Sequence, residues 1–337
     1  MELLKETKLA DGRSLRVYRQ ITPDKNAVPE RLIRYVISSI GFDAYRQYVN
    51  DHNYWRLYFR AAFDGEGAVD HFYIAEVDGE FAARVWFAYS PESGLGNFGN
   101  VYTEPRYRRL GLMKELMEFC VRDFRSSPAK LLCCATGNEF AAASYRKFGF
   151  QMTYGGAAGK MHIINPAYGS HFRDVEKRCF DGSGIKSVRR GRAGDQFDCD
   201  KFLVHTKPFC GTLRGSAGPD AYVTEYRIAW QDQKTGIAVT AVAENASGAV
   251  CACAYAVRAF GRNCLNFTVH PDNAAEVKQL LDFTAAEFRK LYPGEPLLIY
   301  LASDFTMQLD ALEKSGMKPI ASIPGSNANA ELVIFEI

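Results

Sequence analysis

One stretch constrains the chain more than any other: Val101-Tyr-Thr-Glu-Pro-Arg-Tyr-Arg-Arg-Leu-Gly-Leu-Met-Lys-Glu-Leu-Met117. A strand-like run stops at Pro105, a basic turn carries Arg108, Arg109 and Gly111, and Leu112, Leu116, Met117, Cys120 and Phe124 then recur at helical spacing. A strand passing into a helix through so short a turn points to an α/β sheet. It also builds a chemical feature. The first amides of a helix have no intrahelical partners and sit at the positive end of its dipole, so they form a natural cradle for a pyrophosphate. Gly111 would let the main chain approach the phosphates, and Arg108 and Arg109 add charge. Taken alone, the stretch is equally a plain strand-to-helix turn with a solvated basic cap.

The surrounding pattern agrees with an α/β frame. Leu15 to Ile21 reads as a strand, and after Pro29 the residues Leu32, Ile33, Val36, Ile37 and Ile40 share one helical face that ends at Gly41. A second helical stretch is expected from Tyr45 to Phe63, crowded with Tyr45, Tyr48, Tyr54, Trp55, Tyr58 and Phe59. His71 to Glu76 and Glu80 to Ser90 flank Asp78-Gly79, a hairpin signal, and Gly96 to Thr103 is the strand that enters the basic turn. Lys130 to Ala135 reads as a buried strand, Phe140 to Phe148 as a helix closed by Gly149, and Phe150 to Tyr154 and Lys160 to Ile164 as closing strands.

Asn165 to Gly184, with Pro166, Gly169, Gly182 and Gly184, reads as a connector, and the same order then returns. Ile185 to Arg190 is a strand, Asp195 to His205 a helix, and Ile237 to Ala243 with Ala249 to Phe260 a hairpin. Cys264 to Val269 is a strand, Ala274 to Leu291 a helix, Pro296 to Leu301 a strand and Phe305 to Lys314 a helix, with final strands at Ile320 and from Leu332 to Phe335. Asn100 and Pro105 match Asn266 and Pro271 at an offset of 166, and Gly149 matches Gly316 at 167. This reads as an internal duplication, with domains 1–165 and 185–337 joined by 166–184. Two unrelated α/β units sharing common punctuation are the alternative.

Composition narrows the function classes. A length of 337 residues suggests two domains. With 41 Lys and Arg against 39 Asp and Glu, the net charge of +2 gives no broad polyanion surface, so no nucleic-acid partner is expected. Nine cysteines without a CxxC pair fit reduced thiols in a cytoplasm. The charged start lacks the apolar core of a signal peptide, and no apolar run approaches the roughly 18 to 20 residues of a spanning helix. No membrane is therefore expected. No His, Cys or carboxylate pair stands at metal-ligand spacing. Arg189-Arg190-Gly-Arg192 reads as a solvated turn.

The stretch Arg108-Arg109-Leu110-Gly111-Leu112-Met113 resembles the acyl-CoA-binding motif of the GCN5-related N-acetyltransferase (GNAT) superfamily, Arg/Gln-x-x-Gly-x-Gly/Ala after a Val-x-x-x-Pro strand. Met113 departs from the small residue of that pattern and puts the width of the groove in question. A second segment resembles the family's Asn-x-x-Ala-x-x-x-Tyr-x-x-x-Gly-Phe signature through Asn138, Ala141, Tyr145, Gly149 and Phe150. The resemblance covers about residues 10 to 165 and implies tandem GNAT-like domains, each a twisted mixed sheet flanked by helices.

The resemblance also implies roles. The strand around Val101, Tyr102 and Thr103 would be splayed from its neighbour, leaving backbone groups of Val101 and Thr103 to pair with the pantetheine arm. Amides of Arg109, Leu110, Gly111, Leu112, Met113 and Lys114 would hold the pyrophosphate of acetyl-CoA, with Arg108 adding charge, and Asn138 would contact the arm. Tyr145 would be the general acid to the departing thiolate. The base is not assigned by any sequence rule: Glu104 beside the groove is one candidate, Tyr102 and Asn100 line the same strand, and Glu76, Asp51 and His52 are further candidates. His71 and His162 read as structural residues.

In the second half the turn is His270-Pro271-Asp272-Asn273, without Arg-x-x-Gly, and Leu312 replaces Tyr145. That half is expected to be degenerate, serving as a wall of the acceptor pocket or as a packing or dimerisation module, which leaves a homodimer open. The chain is thus read as an acyl-CoA-dependent N-acyltransferase that moves acetyl directly to an amine, small molecule or peptide. The alternatives are a non-catalytic acyl-CoA-binding or scaffold protein, and an acyltransferase with a longer-chain or carrier-protein donor.

Overall fold

Strands dominate the first part of the chain, several of them turned back on the last by a tight loop. The computed structural model describes residues 1–22, 28–38, 66–201, 221–259, 261–327 and 330–337. They divide into two units, Met1–Glu176 and Lys177–Ile337. The aromatic stretch expected from Tyr45 to Phe63, Ile40, Gly41, Asp51, His52 and His205 lie outside the described residues.

The first unit runs β1 (Glu2–Lys8), β2 (Ser14–Thr22), α1 (Glu30–Ser38), β3 (Val69–Val77), β4 (Glu80–Tyr89), β5 (Leu95–Thr103), α2 (Leu112–Ser126), β6 (Leu131–Thr136), α3 (Glu139–Arg146), β7 (Gln151–Gly155) and β8 (Gly159–Ile164). Its sheet has the order β1-β2-β3-β4-β5-β6-β8-β7, and β5 with β6 is the parallel pair. The hairpin at Asp78-Gly79 forms with both residues at positive φ, 47° and 86°, as a two-residue turn between twisted strands demands. β1 was not anticipated. Its solvent-facing edge carries too little apolar alternation to read, although the turn that follows it holds the same Asp-Gly dipeptide at Asp11-Gly12.

Side-chain alternation gives the sheet two covered faces. Leu15 and Val17 of β2, Tyr73, Ala75 and Val77 of β3, and Ala83, Val85, Phe87 and Tyr89 of β4 share the core with Leu112, Leu116, Met117, Cys120 and Phe124 of α2. Phe124 meets Phe87 edge to face at 6.1 Å. A polar contact fixes the helix lengthwise: the carboxylate of Asp123 accepts from Tyr73 Oη at 2.8 Å, Arg19 Nη1 at 2.8 Å and Arg122 Nε at 2.9 Å. Burial pushes this carboxyl up, but the hydrogen bonds from Tyr73, Arg19 and Arg122 outweigh it and hold the pKa below the usual carboxylate range. On the opposite face α1 brings Arg31 to Glu76 at 2.9 Å and Tyr35 to Phe81 with ring centroids 5.4 Å apart.

The segment read as a connector is partly helical. Pro166–Tyr168 is a single 3₁₀ turn, α4 spans Phe172–Cys179, and the division between the two units falls inside that helix. Phe172 lies against His162, ring centroids 4.9 Å apart, so the helix is packed where a linker would be solvated.

The second unit contains β9 (Ile185–Arg190), α5 (Gln196–Cys199), α6 (Ala221–Lys234), β10 (Ala238–Asn245), β11 (Val250–Ala259), β12 (Arg262–Val269), α7 (Val277–Leu291), β13 (Leu298–Ala302), α8 (Thr306–Lys314), β14 (Pro319–Asn327) and β15 (Ala330–Glu336). The order β9-β10-β11-β12-β13-β15-β14 repeats that of β2 to β7 in the first unit, again with one parallel pair, β12 with β13. α6 was not anticipated, although Tyr226, Ala229 and Trp230 are buried at helical spacing. Arg189 is not part of a solvated turn: it lies in β9, donates to Asp195 at 2.7 and 2.8 Å and to Glu244 at 2.9 Å, and is drawn inward by both carboxylates. Among the described residues no helix is long and apolar enough to cross a membrane.

Two buried groups near the end of the first unit give opposite pH responses. Burial draws the His162 imidazole from its ordinary 6.5 down to about 4 and pushes the Glu176 carboxyl from 4.5 up to about 7. As pH falls, the unfolded chain protonates its histidine first. The His162 contribution is therefore complete above about pH 6.5 and lost toward pH 4. The Glu176 contribution is complete below about pH 4.5 and lost as pH rises through about 7. Each is on the order of 3 kcal/mol. In denaturant titrations His162→Gln should gain on the wild type as pH falls from 7 to 4, and Glu176→Gln should gain as pH rises from 4.5 to 7. Parallel pH curves for all three proteins would contradict both assignments.

Candidate functional site

The parallel pair β5–β6 is joined only through Leu95, Gly96 and Asn97, opposite Leu131, Leu132 and Cys133. Beyond those three pairs β5 stays with β4 and β6 stays with β8. A gap therefore opens in the sheet, lined by the last residues of β5 on one side and by Cys134, Ala135 and Thr136 on the other. Asn100 drives the divergence. It has φ 51°, and the register slips there: Arg84 faces Tyr102 while Trp86 faces Gly99, so Asn100 and Val101 together oppose Val85. Asn tolerates the left-handed region better than most side chains.

Val101, Tyr102 and Thr103 are all half-buried along this gap. The amide of Glu104 donates to Ala82 O at 2.9 Å, so the alternation of an antiparallel ladder ties Tyr102 to β4 and turns the main-chain groups of Thr103 toward the gap. One of those groups is already engaged, because Thr103 O accepts from Arg108 Nε at 3.3 Å. Glu104 closes the strand, half-exposed, and accepts from Tyr102 Oη at 3.3 Å.

The turn that follows is a single 3₁₀ turn, Pro105–Tyr107, and then two left-handed residues, Arg109 at φ 67° and Gly111 at φ 78°. They flank Leu110 and swing the chain straight into α2, whose N-cap is Gly111 with no side chain bonded to the first-turn amides. Arg108, Arg109 and Lys114 are exposed, whereas Arg106 and Tyr107 are committed to Glu80, Tyr107 Oη donating at 2.8 Å. Met113 is half-buried and packs against the core, as does Leu110. Its bulk is therefore spent on helix packing. A Cβ added at Gly111 would meet nothing within 4 Å, so glycine is required there by the backbone angle and not by crowding within the protein. An open cavity of about 380 Å³ lies beside the turn, lined by Lys5, Lys8, Leu110, Gly111, Lys114 and Glu115 among others.

Across the gap, Asn138 caps α3: its Oδ1 accepts from the amides of Phe140 at 2.9 Å and Ala141 at 3.1 Å, which leaves its Nδ2 as the group to offer a ligand. Tyr145 is buried in the last turn of α3, edge-on to Phe98 at 5.2 Å and beside Phe150 at 5.7 Å. Burial, with Cys134 nearby, raises its pKa well above the ordinary phenol value, so it stays protonated through the neutral range.

Other candidates are placed elsewhere. Glu76 is buried and paired with Arg31. His71 is stacked on Phe87 at 4.4 Å, and burial draws its pKa to about 4. His162 Nδ1 shares a hydrogen bond with the Thr153 hydroxyl at 2.8 Å. Among the described residues no group of three or more His, Cys, Asp or Glu side chains could hold a metal ion. Arg84 was missed altogether: it is an arginine inside an apolar strand, 3% exposed, and that mismatch was readable in Phe81-Ala-Ala-Arg-Val-Trp86.

The second unit keeps the gap but not its furniture. β12 and β13 meet only at Cys264 and Leu298, yet β12 pairs with β11 without a slip, and Asn266 is regular where Asn100 is left-handed. Its turn is an unbroken 3₁₀ run, Pro271–Glu276, leading to α7 without a glycine, and the carboxylate of Glu276 sits at the helix start holding the Ile185 amide at 2.5 Å. Leu312, fully buried, occupies the place of Tyr145.

Residues 35–150 match the acetyltransferase (GNAT) family. No curated protein matches the chain in sequence. Similar solved structures include the acetyltransferase of GNAT family from Streptococcus pneumoniae, at 13% identity over 45% of this chain and 98% of that one, TM-score 0.35. A GNAT superfamily phosphinothricin acetyltransferase from Sinorhizobium meliloti in complex with AcCoA is 12% identical over 45% and 86% of the two chains, TM-score 0.36. An N-acetyltransferase from Staphylococcus aureus is 14% identical over 45% and 96%, TM-score 0.32.

The left-handed turn makes a stability prediction. Gly111→Ala should cost roughly 1 to 2 kcal/mol through backbone strain alone, since the methyl group has room, and Gly111→Asn should cost clearly less. Urea unfolding of the three proteins measures this. Equal losses for Ala and Asn would mean that the angle is not the constraint.

Proposed function

We propose, from the match of residues 35–150 to the acetyltransferase (GNAT) family, that the chain is an acyl-CoA-dependent N-acyltransferase whose first unit transfers acetyl from acetyl-CoA to an amine by direct attack. The observation that carries this reading is the conjunction of an opened sheet, a left-handed turn and an uncapped helix start within one short stretch of chain. The amides from Arg109 through Leu110, Gly111, Leu112 and Met113 to Lys114 hold the pyrophosphate, with Arg108 and Arg109 supplying charge. Val101 and Thr103 pair with the pantetheine arm through main-chain groups facing the gap, and Asn138 offers its Nδ2 from the other side. Tyr102 stands on the same strand and holds Glu104 by its hydroxyl.

In the transfer, the amine lone pair attacks the thioester carbonyl carbon and a tetrahedral intermediate forms. Glu104 accepts the proton that the nitrogen sheds. Collapse of the intermediate breaks the C–S bond, and Tyr145 gives its phenolic proton to the leaving sulfur. A phenol of raised pKa is a reluctant acid toward a free thiolate, so the proton passes to sulfur as the C–S bond breaks, and the phenolate regains a proton from solvent as Glu104 releases its own. Amine, thioester, base and acid are then used once each, and the protein supplies no covalent intermediate.

For the second unit the favoured reading is that it binds no acyl-CoA. Glu276 puts negative charge at the helix start where a phosphate would sit, and Leu312 has no proton to give.

Two experiments test the assignment. Gly111→Val should abolish acetyl-CoA binding in titration calorimetry, because a β-branched residue cannot hold the left-handed angle that aims the amides. Unimpaired binding would remove the cradle. Tyr145→Phe keeps the ring packing against Phe98 and Phe150, and should lower kcat by about 10²-fold or more while leaving acetyl-CoA affinity within about twofold. An unchanged kcat would end the proton-donor role.

A further inference from the structure

Beside the basic turn, but away from the gap, lies the open cavity of about 380 Å³. One wall is the start of α2, through Gly111, Leu112 and Lys114, and the other is the β1–β2 hairpin, through Lys8, Ala10 and Leu15. In sheet order β1 and β2 stand on the opposite side of β5 from β6. The turn that leaves β5 therefore has the gap on one side and this cavity on the other. The hairpin ends before residue 35, where the match to the GNAT family begins, so its wall lies outside the matched residues.

The lining is amphipathic. Leu9, Leu15, Leu110 and Leu112 give it an apolar floor, the second and fourth buried and the others half-buried. Its rim is basic. Lys5 is held by Glu115 at 2.8 Å, whereas Lys114 stands 3.9 Å from Glu118, beyond hydrogen-bond reach, which leaves its ammonium donors for a ligand. The third lysine, Lys8, is exposed, and among the described residues its side chain makes no ion pair or hydrogen bond. Lysines exceed carboxylates in the lining by one, and the first turn of α2 adds the positive end of its dipole. A positive rim over an apolar floor, at the small end of ligand-pocket volumes, suits one flat apolar body bearing a phosphate. A nucleoside monophosphate has that form.

We propose that the cavity holds the 3′-phosphoadenosine end of CoA, its base on the leucine floor and its 3′-phosphate at Lys8 and Lys114. The assignment rests on the acyl-CoA reading and deepens it. A pyrophosphate seated on the amides from Arg109 to Lys114 has two substituents to place. The pantetheine arm enters the gap. Gly111, Leu112 and Lys114 belong to the cradle and also line the cavity, so the nucleoside on the other side of the pyrophosphate passes directly into it. Lys8 carries a point charge on a flexible stem and follows a phosphate without needing the fixed geometry of an arginine fork. The β1–β2 hairpin is then part of the co-substrate site.

Titration calorimetry on the full chain, comparing acetyl-CoA with its 3′-dephospho form, tests this in the wild type, Lys8→Ala and Ala10→Trp. The dephospho form should bind the wild type about tenfold or more weakly. Lys8→Ala should weaken acetyl-CoA about fivefold or more and leave the dephospho form within about twofold, the coupling expected of a direct contact. Ala10→Trp, which fills the cavity from the hairpin turn, should weaken both ligands and spare S-acetyl-4′-phosphopantetheine, which has no nucleoside. Lys8 and Ala10 are both exposed, so neither change burdens the fold. Equal affinity of the wild type for acetyl-CoA and the dephospho form overturns the proposal. A Lys8→Ala loss shared equally by the two ligands also overturns it, since that is the signature of the general field. Wild-type protein that binds S-acetyl-4′-phosphopantetheine as tightly as acetyl-CoA keeps the acyltransferase reading and removes the nucleoside site. Binding of adenosine 3′,5′-bisphosphate that is weakened in Lys8→Ala, with no binding of acetyl-CoA, would keep the nucleoside site and sink the acyltransferase reading. Wild-type protein that binds none of these ligands overturns both.

Discussion

Two parallel strands that part company after three residue pairs set the terms for the rest of the first unit. A sheet interrupted in this way leaves main-chain donors and acceptors along β5 and β6 that a continuous ladder would have consumed, and such groups are costly to bury without partners. The fold tolerates the interruption because each strand keeps its other neighbour, and because the slip at Asn100 bends β5 away without unpairing it from β4. The strain of the slip is small, since asparagine accepts the angle. The basic turn inherits its position from this bend. Were β5 to run straight, Pro105 would follow a strand aimed at β6, and α2 would start from somewhere else. Asp123 completes the arrangement from the far end of α2, where hydrogen bonds from Tyr73 of β3 and Arg19 of β2 to its carboxylate tie the helix to the sheet.

The second unit is an internal control on that argument. It repeats the strand order and even the short parallel pairing, yet β12 has no slip, its turn has no left-handed pair, and Glu276 sits at the helix start. One frame therefore carries two different surfaces at the same topological place. Frame alone does not imply chemistry, and the two units differ at the turn and at the position of Tyr145.

Much of this was legible in the residues, for physical reasons that also explain the failures. α2 was readable because its buried face repeats at 3.6 residues over fifteen positions, and the β3–β4 hairpin because Asp78-Gly79 has few other uses. β1 was not, since an edge strand exposes both polar and apolar side chains and loses the alternation that marks a half-buried one. α4 was hidden by the glycines around it, and α6 by an apolar face mixed with Thr, Arg and Gln. At the site, the turn residues and Tyr145 stood out through a local pattern. Asn100 stood out only as a landmark and a residue of the strand, and Arg84 only as a charge in an apolar run; the register slip at the first and the cross-strand pairing of the second are not written in neighbouring residues.

The placement of the titratable groups bears on why the gap matters for transfer. Tyr145 belongs to the face shared with α2, whereas Arg84, Tyr102 and Glu104 stand on the opposite face. In the proposed transfer the acid Tyr145 and the base Glu104 would therefore act from opposite faces of the sheet. A closed sheet keeps two such groups apart but also keeps them from a common substrate. An opened one separates them by its own thickness and would still let a thioester held between β5 and β6 be reached from both sides. On the proposed reading, the break between the strands is what would let a phenol and a carboxylate work on the same carbon.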